Sequence, residues 1–144
     1  MILVDTNVVS EPLRRRPEPR VAEWIDGQPL ETLYLSTVTV AELRFGAASL
    51  PAGRRRNLLN EKLERSILPL FAGRVLPFDL PATEAYAELM ARTRRNGVAV
   101  SISDGYIAAI AGANGMMVAT RDRTPFEAAG LRVIDPWQAR TARR

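Results

Sequence analysis

The stretch Met1-Ile2-Leu3-Val4-Asp5-Thr6-Asn7 decides how the chain is read. An apolar run ends on a carboxylate, and two small polar residues follow. Ile2, Leu3 and Val4 predict a short strand buried on both faces, as the strands of a parallel sheet are. Asp5 then lies at the carboxyl end of that strand, the edge at which open α/β sheets bind ligands.

Working outward, residues 7–11 predict a helical turn stopped by Pro12, and Arg14, Arg15 and Arg16 with Pro17 and Pro19 predict an exposed basic connection. A helix is expected over 21–26, with Val21, Trp24 and Ile25 on one face, and a second strand over 33–36. Residues 40–48 carry apolar positions at helical spacing, with Thr37 or Thr39 as cap and Glu42 in the first turn. A longer helix is expected over 54–71, striped by Leu58, Leu59, Leu63 and Ile67. Arg54, Arg55 and Arg56 stand at its start, the unfavourable end of the helix dipole, so either an acidic partner or a solvated face is expected there. A third strand is expected over 74–79, closed by Pro81, then a helix over 82–96 stopped by Gly97. A capped, Ala-rich helix begins at Ser101. A fourth strand over 116–120 ends at Arg121 and Asp122, a short turn or helix covers 125–129, and an edge-like fifth strand covers 131–134. Residues 139–144 read as a basic tail expected to be disordered. The alternation of strands and helices predicts an α/β fold: a single domain over 1–138, with a central parallel sheet of about five strands and helices on both faces.

The bulk numbers fit one globular domain: 144 residues, 47% hydrophobic and 25% charged. No apolar run approaches the roughly 18 residues of a membrane span, and no signal peptide is visible, so a cytoplasmic location is expected. With no Cys and no His, Ser-His-Asp and Cys-His mechanisms are excluded, as is the usual zinc site. Lys62 is the only lysine and there is no phosphate-binding GxxxxGK[ST] loop. Acid–base chemistry would have to come from carboxylates, hydroxyls, Arg or a bound metal, and such oxygen ligands suit Mg²⁺ or Mn²⁺. A net charge of +4 and a pI near 10.3 favour polyanionic partners.

Four acids stand where such a sheet would gather them. Asp5 and Asp122 each follow an apolar strand, while Glu42 and Asp104 each lie near the start of a helix. Two carboxylates about 4 Å apart repel by about 4 kcal/mol at an effective dielectric near 20, so a cluster needs protonation, a cation or an Arg partner. A divalent cation would relieve the repulsion and supply a catalyst for phosphodiester hydrolysis. Each acid also has a structural reading: Asp5 as a turn residue, Asp104 as a helix cap, Glu42 as a favourable charge on a helix dipole, and Asp122 paired with Arg121 or Arg123. Their joint placement favours a metal site, with Thr6, Asn7 and Thr120 as candidates to support the ligands from behind.

In this order and spacing, MILVDTN, Thr39-Val40-Ala41-Glu42-Leu43, Asp104-Gly105-Tyr106-Ile107-Ala108-Ala109 and Val118-Ala119-Thr120-Arg121-Asp122 resemble the PIN-domain family. Within it they are similar to the VapC-type toxins of bacterial toxin–antitoxin pairs. The segments Asn7-Val8-Val9-Ser10-Glu11-Pro12 and Ile67-Leu68-Pro69-Leu70-Phe71-Ala72-Gly73 resemble the FitB type. The resemblance implies a Mg²⁺- or Mn²⁺-dependent endoribonuclease with Asp5, Glu42, Asp104 and Asp122 as its catalytic acids, of which Asp5, Asp104 and Asp122 hold the metal. It further implies a homodimer and an antitoxin partner that places a basic side chain in the acidic site and carries the pair to operator DNA. The alternative is a FitB-like binding subunit that acts with its antitoxin on promoter DNA, with little nuclease activity of its own.

Overall fold

The computed structural model of the chain describes residues 1–139; the rest of the expected basic tail lies outside it. Five parallel strands form one sheet: β1 (Ile2–Val4), β2 (Leu33–Ser36), β3 (Val75–Leu76), β4 (Met117–Ala119) and β5 (Val133–Ile134). Their order is β3-β2-β1-β4-β5, so the N-terminal strand is central. The helices are α1 (Thr6–Ser10), α2 (Pro19–Asp26), α3 (Thr37–Ala48), α4 (Arg54–Lys62), α5 (Leu80–Arg95), α6 (Ile102–Ala113) and α7 (Arg123–Ala128).

The two-residue period of the strands divides the core into two layers. Ile2, Val4, Leu33, Leu35 and Ala119 face Val8, Val9, Val21, Leu43 and Leu63 on one side of the sheet. Leu3 and Val118 face Leu89, Ile107, Ile110 and Phe126 on the other. The sheet is therefore covered on both faces, which is why its strands read as continuous apolar runs. Trp137 closes the first layer and takes the Arg121 guanidinium over its ring, 5.1 Å from the centroid.

Helix α5 lies against α6 at Gly105, which is buried. A Cβ there would stand 2.9 Å from Met90 Sδ and 3.0 Å from Tyr86 Cε2. Beside it, Tyr106 packs on Phe78 and Tyr86 at centroid separations of 4.6 and 5.0 Å, which holds the start of α6 against α5 and the segment leading into it. Gly105→Ala is expected to destabilise the protein by about 1 kcal/mol in urea unfolding. The gain in helix propensity, about 0.5–1 kcal/mol, is smaller than the 1–3 kcal/mol typical of an overpacked contact.

Several local expectations are corrected. The turn after Asp5 does not stop at Pro12 but continues as a 3₁₀ turn over Glu11–Leu13, where Pro12 occupies a first-turn position that needs no N–H. Helix α3 starts earlier than expected, because Ser36, not Thr37 or Thr39, is its cap: the Ser36 hydroxyl accepts from Thr39 N at 3.0 Å. Glu42 is therefore in the second turn rather than the first. The single helix expected over 54–71 is three pieces: α4, a π turn over Leu63–Ile67 and a 3₁₀ turn over Leu68–Phe71 with Pro69 in its first turn. Leu63 is buried, whereas Leu58, expected in the same stripe, is 54% exposed. Strand β3 is only two residues long, because Asp79 caps α5 by accepting from Ala82 N at 3.1 Å and Pro81 opens that helix.

Candidate metal centre

The register of the sheet places Asp5 and Thr120 side by side. β1 pairs with β4 through Val4 and Ala119, and Asp5 N continues the ladder by donating to Ala119 O at 2.9 Å. Thr120 N is held in turn by Ile134 O at 2.9 Å. One residue past the apolar run, both side chains emerge at the carboxyl edge on the face that α6 covers. Asp5 is 5% exposed. Its Oδ1 accepts from Thr6 N at 2.8 Å, capping α1, and its Oδ2 accepts from the Thr120 hydroxyl at 2.8 Å.

Thr120 is fully engaged. It gives its one proton to Asp5 and accepts from Asn7 Nδ2 at 3.2 Å and from Asp122 N at 3.0 Å. The second of these bonds fixes the backbone that carries Asp122. Thr120→Val keeps the shape but removes one donor and two acceptor contacts. It is expected to cost about 1–3 kcal/mol of stability and, where the acids hold a metal, a further 10–100-fold in activity; chemical denaturation and RNA cleavage check the two effects separately.

Glu42 is held from two other elements. Its Oε1 accepts from the Thr6 hydroxyl at 3.0 Å and from the Ser103 hydroxyl at 3.1 Å. The Thr6 hydroxyl also stands 3.0 Å from that of Thr39. Since a carboxylate can only accept, the single Thr6 proton goes to Glu42. Asp104 lies in the first turn of α6, which is capped by Ser101 through Asp104 N at 3.1 Å. Asp122 is exposed and precedes α7 without capping it. It does not pair with Arg123, whose guanidinium is taken by Glu127 at 2.7 Å.

Two further hydroxyls belong to the site: Thr39, expected only as a possible cap, joins the Thr6–Glu42 contact, and Ser103 binds Glu42 directly. Only the hydroxyls flanking the acids in sequence hinted at this, because the contacts span 33 and 61 residues.

Burial and mutual repulsion act on the acids. Burial pushes the Asp5 carboxyl up to about 6, and the charges of Asp104 and Glu42 add to the rise against the opposing bonds from Thr120 and Thr6. The Asp104 carboxyl is also raised, first by burial and then by Asp122 and Glu42, despite the Ser101 hydroxyl. Among the described residues, no Arg or Lys forms an ion pair with any of the four. No group of three or more acids among those residues is placed to hold a metal ion together. Oxygen donors, mutual repulsion and the absence of a paired cation nevertheless suit Mg²⁺, which keeps several waters and needs only one or two carboxylates from the protein.

The parallel sheet thus gathers acidic side chains at its carboxyl edge within a frame of hydroxyls. The PIN domain model matches residues 2–131. Three relatives align over nearly the whole chain. Plasmid stability protein StbB of Pseudomonas syringae pv. tomato is 63% identical, covering 96% of this chain and 100% of its own. VapC ribonuclease Y4jK of Sinorhizobium fredii is 57% identical, covering 96% and 99%, and Toxin FitB of Neisseria gonorrhoeae is 53% identical, covering 95% and 99%. Among solved structures, FitAcB from Neisseria gonorrhoeae superposes with a TM-score of 0.93 at 52% identity, covering 96% of this chain and 100% of the other. FitAB bound to an IR36 DNA fragment superposes with a TM-score of 0.94 at 50% identity, covering 99% and 100%. The chain belongs to the PIN-domain family, in the group of VapC and FitB toxins.

Proposed function

We propose that this chain is the toxin of a toxin–antitoxin pair and acts as a divalent-metal-dependent endoribonuclease. The observation that carries the reading is Asp5: a buried carboxylate at the carboxyl end of the central strand, facing two further acids, with no basic side chain among the described residues paired to it. The ribonuclease name of a 57% identical relative supports the same reading. Asp5 and Asp104 would hold Mg²⁺ or Mn²⁺ through carboxylate oxygens, with Asp122 beside Asp104. Bound there, the ion would lower the pKa of a water and stabilise charge on a phosphoryl group.

The chain's own residues do the positioning. Thr120 and the Thr6 amide fix both oxygens of Asp5. Thr6 and Ser103 hold Glu42 by Oε1 and leave Oε2 to orient a water or accept its proton. Asn7 acts through Thr120 rather than on substrate. A homodimer and a cognate antitoxin, whose basic side chain would enter the acidic site in place of the cation, complete the proposal; the FitAcB and FitAB complexes support such a partner. No helix among the described residues is long and apolar enough to cross a membrane, in keeping with action on cytoplasmic RNA.

The DNA-bound FitAB structure favours a second reading, in which the chain serves mainly as a regulatory subunit on promoter DNA. Induced expression of the wild type and of Asp104→Asn, with mapping of RNA ends, separates the two. The nuclease reading expects growth arrest and new RNA ends that both disappear in the variant. Arrest that persists in Asp104→Asn with an unchanged end profile would overturn it.

A further inference from the structure

We infer that Arg121, laid over the ring of Trp137 at the carboxyl edge of the sheet, binds an RNA phosphate that flanks the one to be cut. The inference rests on the ribonuclease reading and names a substrate-binding residue for it.

The backbone at Arg121 is tied down at three successive amides. Thr120 N donates to Ile134 O at 2.9 Å, Arg121 N to Asn7 Oδ1 at 3.4 Å, and Asp122 N to the Thr120 hydroxyl at 3.0 Å. Thr120 is the residue that holds Asp5, and the charge of Asp122 acts on Asp104. Arg121 therefore stands between two residues of the acidic centre, on a backbone held in place.

Its side chain takes neither acid. Pairing with Asp122 would neutralise both charges; instead the guanidinium carbon lies over the Trp137 ring, 5.1 Å from its centroid. Among the described residues Arg121 belongs to no ion pair. The ring is itself held. Trp137 is 9% exposed and packs in the first core layer. Its backbone N donates to Asp135 Oδ1 at 2.9 Å, and its backbone O accepts from Arg20 Nη1 at 3.1 Å. This platform orients the Arg121 cation without cancelling its charge. A ring engages the face of a guanidinium, whereas the N–H donors lie in the guanidinium plane and stay free. Arg121 is exposed, so those donors are open to a ligand, and a phosphate accepts from such a fork bidentately.

The position favours an RNA phosphate. Asp5 and Asp122 follow β1 and β4, and Trp137 follows β5, the next strand along the same edge; neighbouring strands are about 4.8 Å apart. A strand of RNA crossing this edge meets acids that call for a cation and then, one step further, a cation already in place. RNA carries a phosphate at every nucleotide, so a strand with one phosphate at the acids presents others alongside. An acidic protein segment fits less well, because the adjoining acids have no use for its carboxylates, whereas a phosphodiester is what they would cut. With Arg121 over its ring and the rest packed in the core, Trp137 is not a platform for a base, so the contact carries no base preference of its own.

The test replaces Arg121 with Met, which can still pack on the ring but has neither charge nor donors, and with Lys, which keeps the charge without the planar fork. Binding of a fluorescein-labelled oligouridine is read by anisotropy in EDTA across a salt series, and urea unfolding checks the fold. One lost phosphate contact flattens the plot of log affinity against log salt by about 0.7 for a single strand. Arg121→Met is expected to show that change, with about a tenfold loss of affinity at low salt; Arg121→Lys is expected to keep the wild-type slope with a smaller loss. In Mg²⁺, linkages around the mapped cut are replaced one at a time by a neutral methylphosphonate. At one linkage the wild type is expected to lose about tenfold in kcat/KM and Arg121→Met to lose nothing further, a coupling that a purely structural role would not produce. Wild-type slope and affinity in Arg121→Met, or equal losses in the two proteins at every linkage, would overturn the inference. So would an Arg121→Met protein that binds RNA as the wild type does and loses only the binding of a poly-glutamate peptide, which would assign Arg121 to a protein partner. RNA binding that depends on Arg121 in a wild type that cleaves no RNA would uphold the contact and count against the nuclease reading.

Discussion

Asp5→Asn is expected to lower RNA cleavage by more than 100-fold while leaving the protein folded. Losing a residue that only supports a metal ligand typically costs about 10–100-fold, and Asp5 is proposed as a ligand itself, so the larger loss is expected. The fold tolerates the change for identifiable reasons. Asn caps a helix as well as Asp does, so Asn Oδ1 can still accept from Thr6 N. The cost arises at Oδ2, where an amide donor would meet a Thr120 hydroxyl that already accepts from Asn7 and from Asp122 N. That mismatch is worth about 1–3 kcal/mol. Against it stands the removal of a buried negative charge that Asp104 and Glu42 repel. The two effects oppose each other at neutral pH, so catalysis is lost with little change in unfolding midpoint. Single-turnover cleavage and thermal unfolding of the same preparations measure the two separately. A variant that is fully active, or one that has lost cleavage only by unfolding, would contradict the assignment.

The second large effect is a fall in stability of the metal-free protein as pH rises from 4 to 6. The Asp5 carboxyl titrates at about 6 in the folded protein, against an ordinary value of 3.8. Between those values the folded state holds a proton that the unfolded state has released, so the free energy of unfolding decreases with pH. The stabilisation is fully present below 3.8 and is lost once pH passes 6. At 1.36 kcal/mol per pH unit the loss from Asp5 is about 3 kcal/mol, and Asp104 shifts in the same direction. In Asp5→Asn most of this slope is expected to vanish, a comparison that cancels any pH-independent cost of the Thr120 mismatch. Mg²⁺ should act with the opposite trend, since it binds the ionised acids: the gain in stability on adding it should grow as pH rises through 6. Urea unfolding at several pH values, with and without Mg²⁺, reads all three trends. A flat wild-type profile would show that Asp5 is solvated or paired.

The parts of the fold that were legible in the sequence are those set by local pattern. Ile2, Leu3 and Val4 are apolar at consecutive positions because both faces of the central strand are covered, and the carboxylate that ends the run marks the sheet edge. Gly97 stops α5 with φ +70°, a conformation that penalises any Cβ. What was not legible depended on competition between signals. At 36–42 three hydroxyl residues could each have capped α3, and only the strand geometry selects Ser36. At 54–71 the apolar spacing continues through a region in which Pro69 cannot donate to the helix ladder, so the chain passes through π and 3₁₀ turns; Leu58 stands one position off the row of Leu59, Leu63 and Ile67 and is left outside. Asp79 and Pro81 looked like the end of a strand, whereas together they are a cap and a first-turn proline. The four acids could be nominated one at a time from strand ends and helix starts. The bonds that orient Glu42 come from Thr6 and Ser103, on α1 and α6, and no local pattern encodes contacts between separate helices.

The most direct measurement is the rate of cleavage of a labelled RNA by the purified, partner-free protein, titrated with Mg²⁺ or Mn²⁺ from an EDTA baseline. The account predicts no cleavage in EDTA, a saturable rise in rate with either ion, and no rise in Asp5→Asn. Cleavage at the full rate in EDTA, or an Asp5→Asn curve that overlays the wild type, would contradict it.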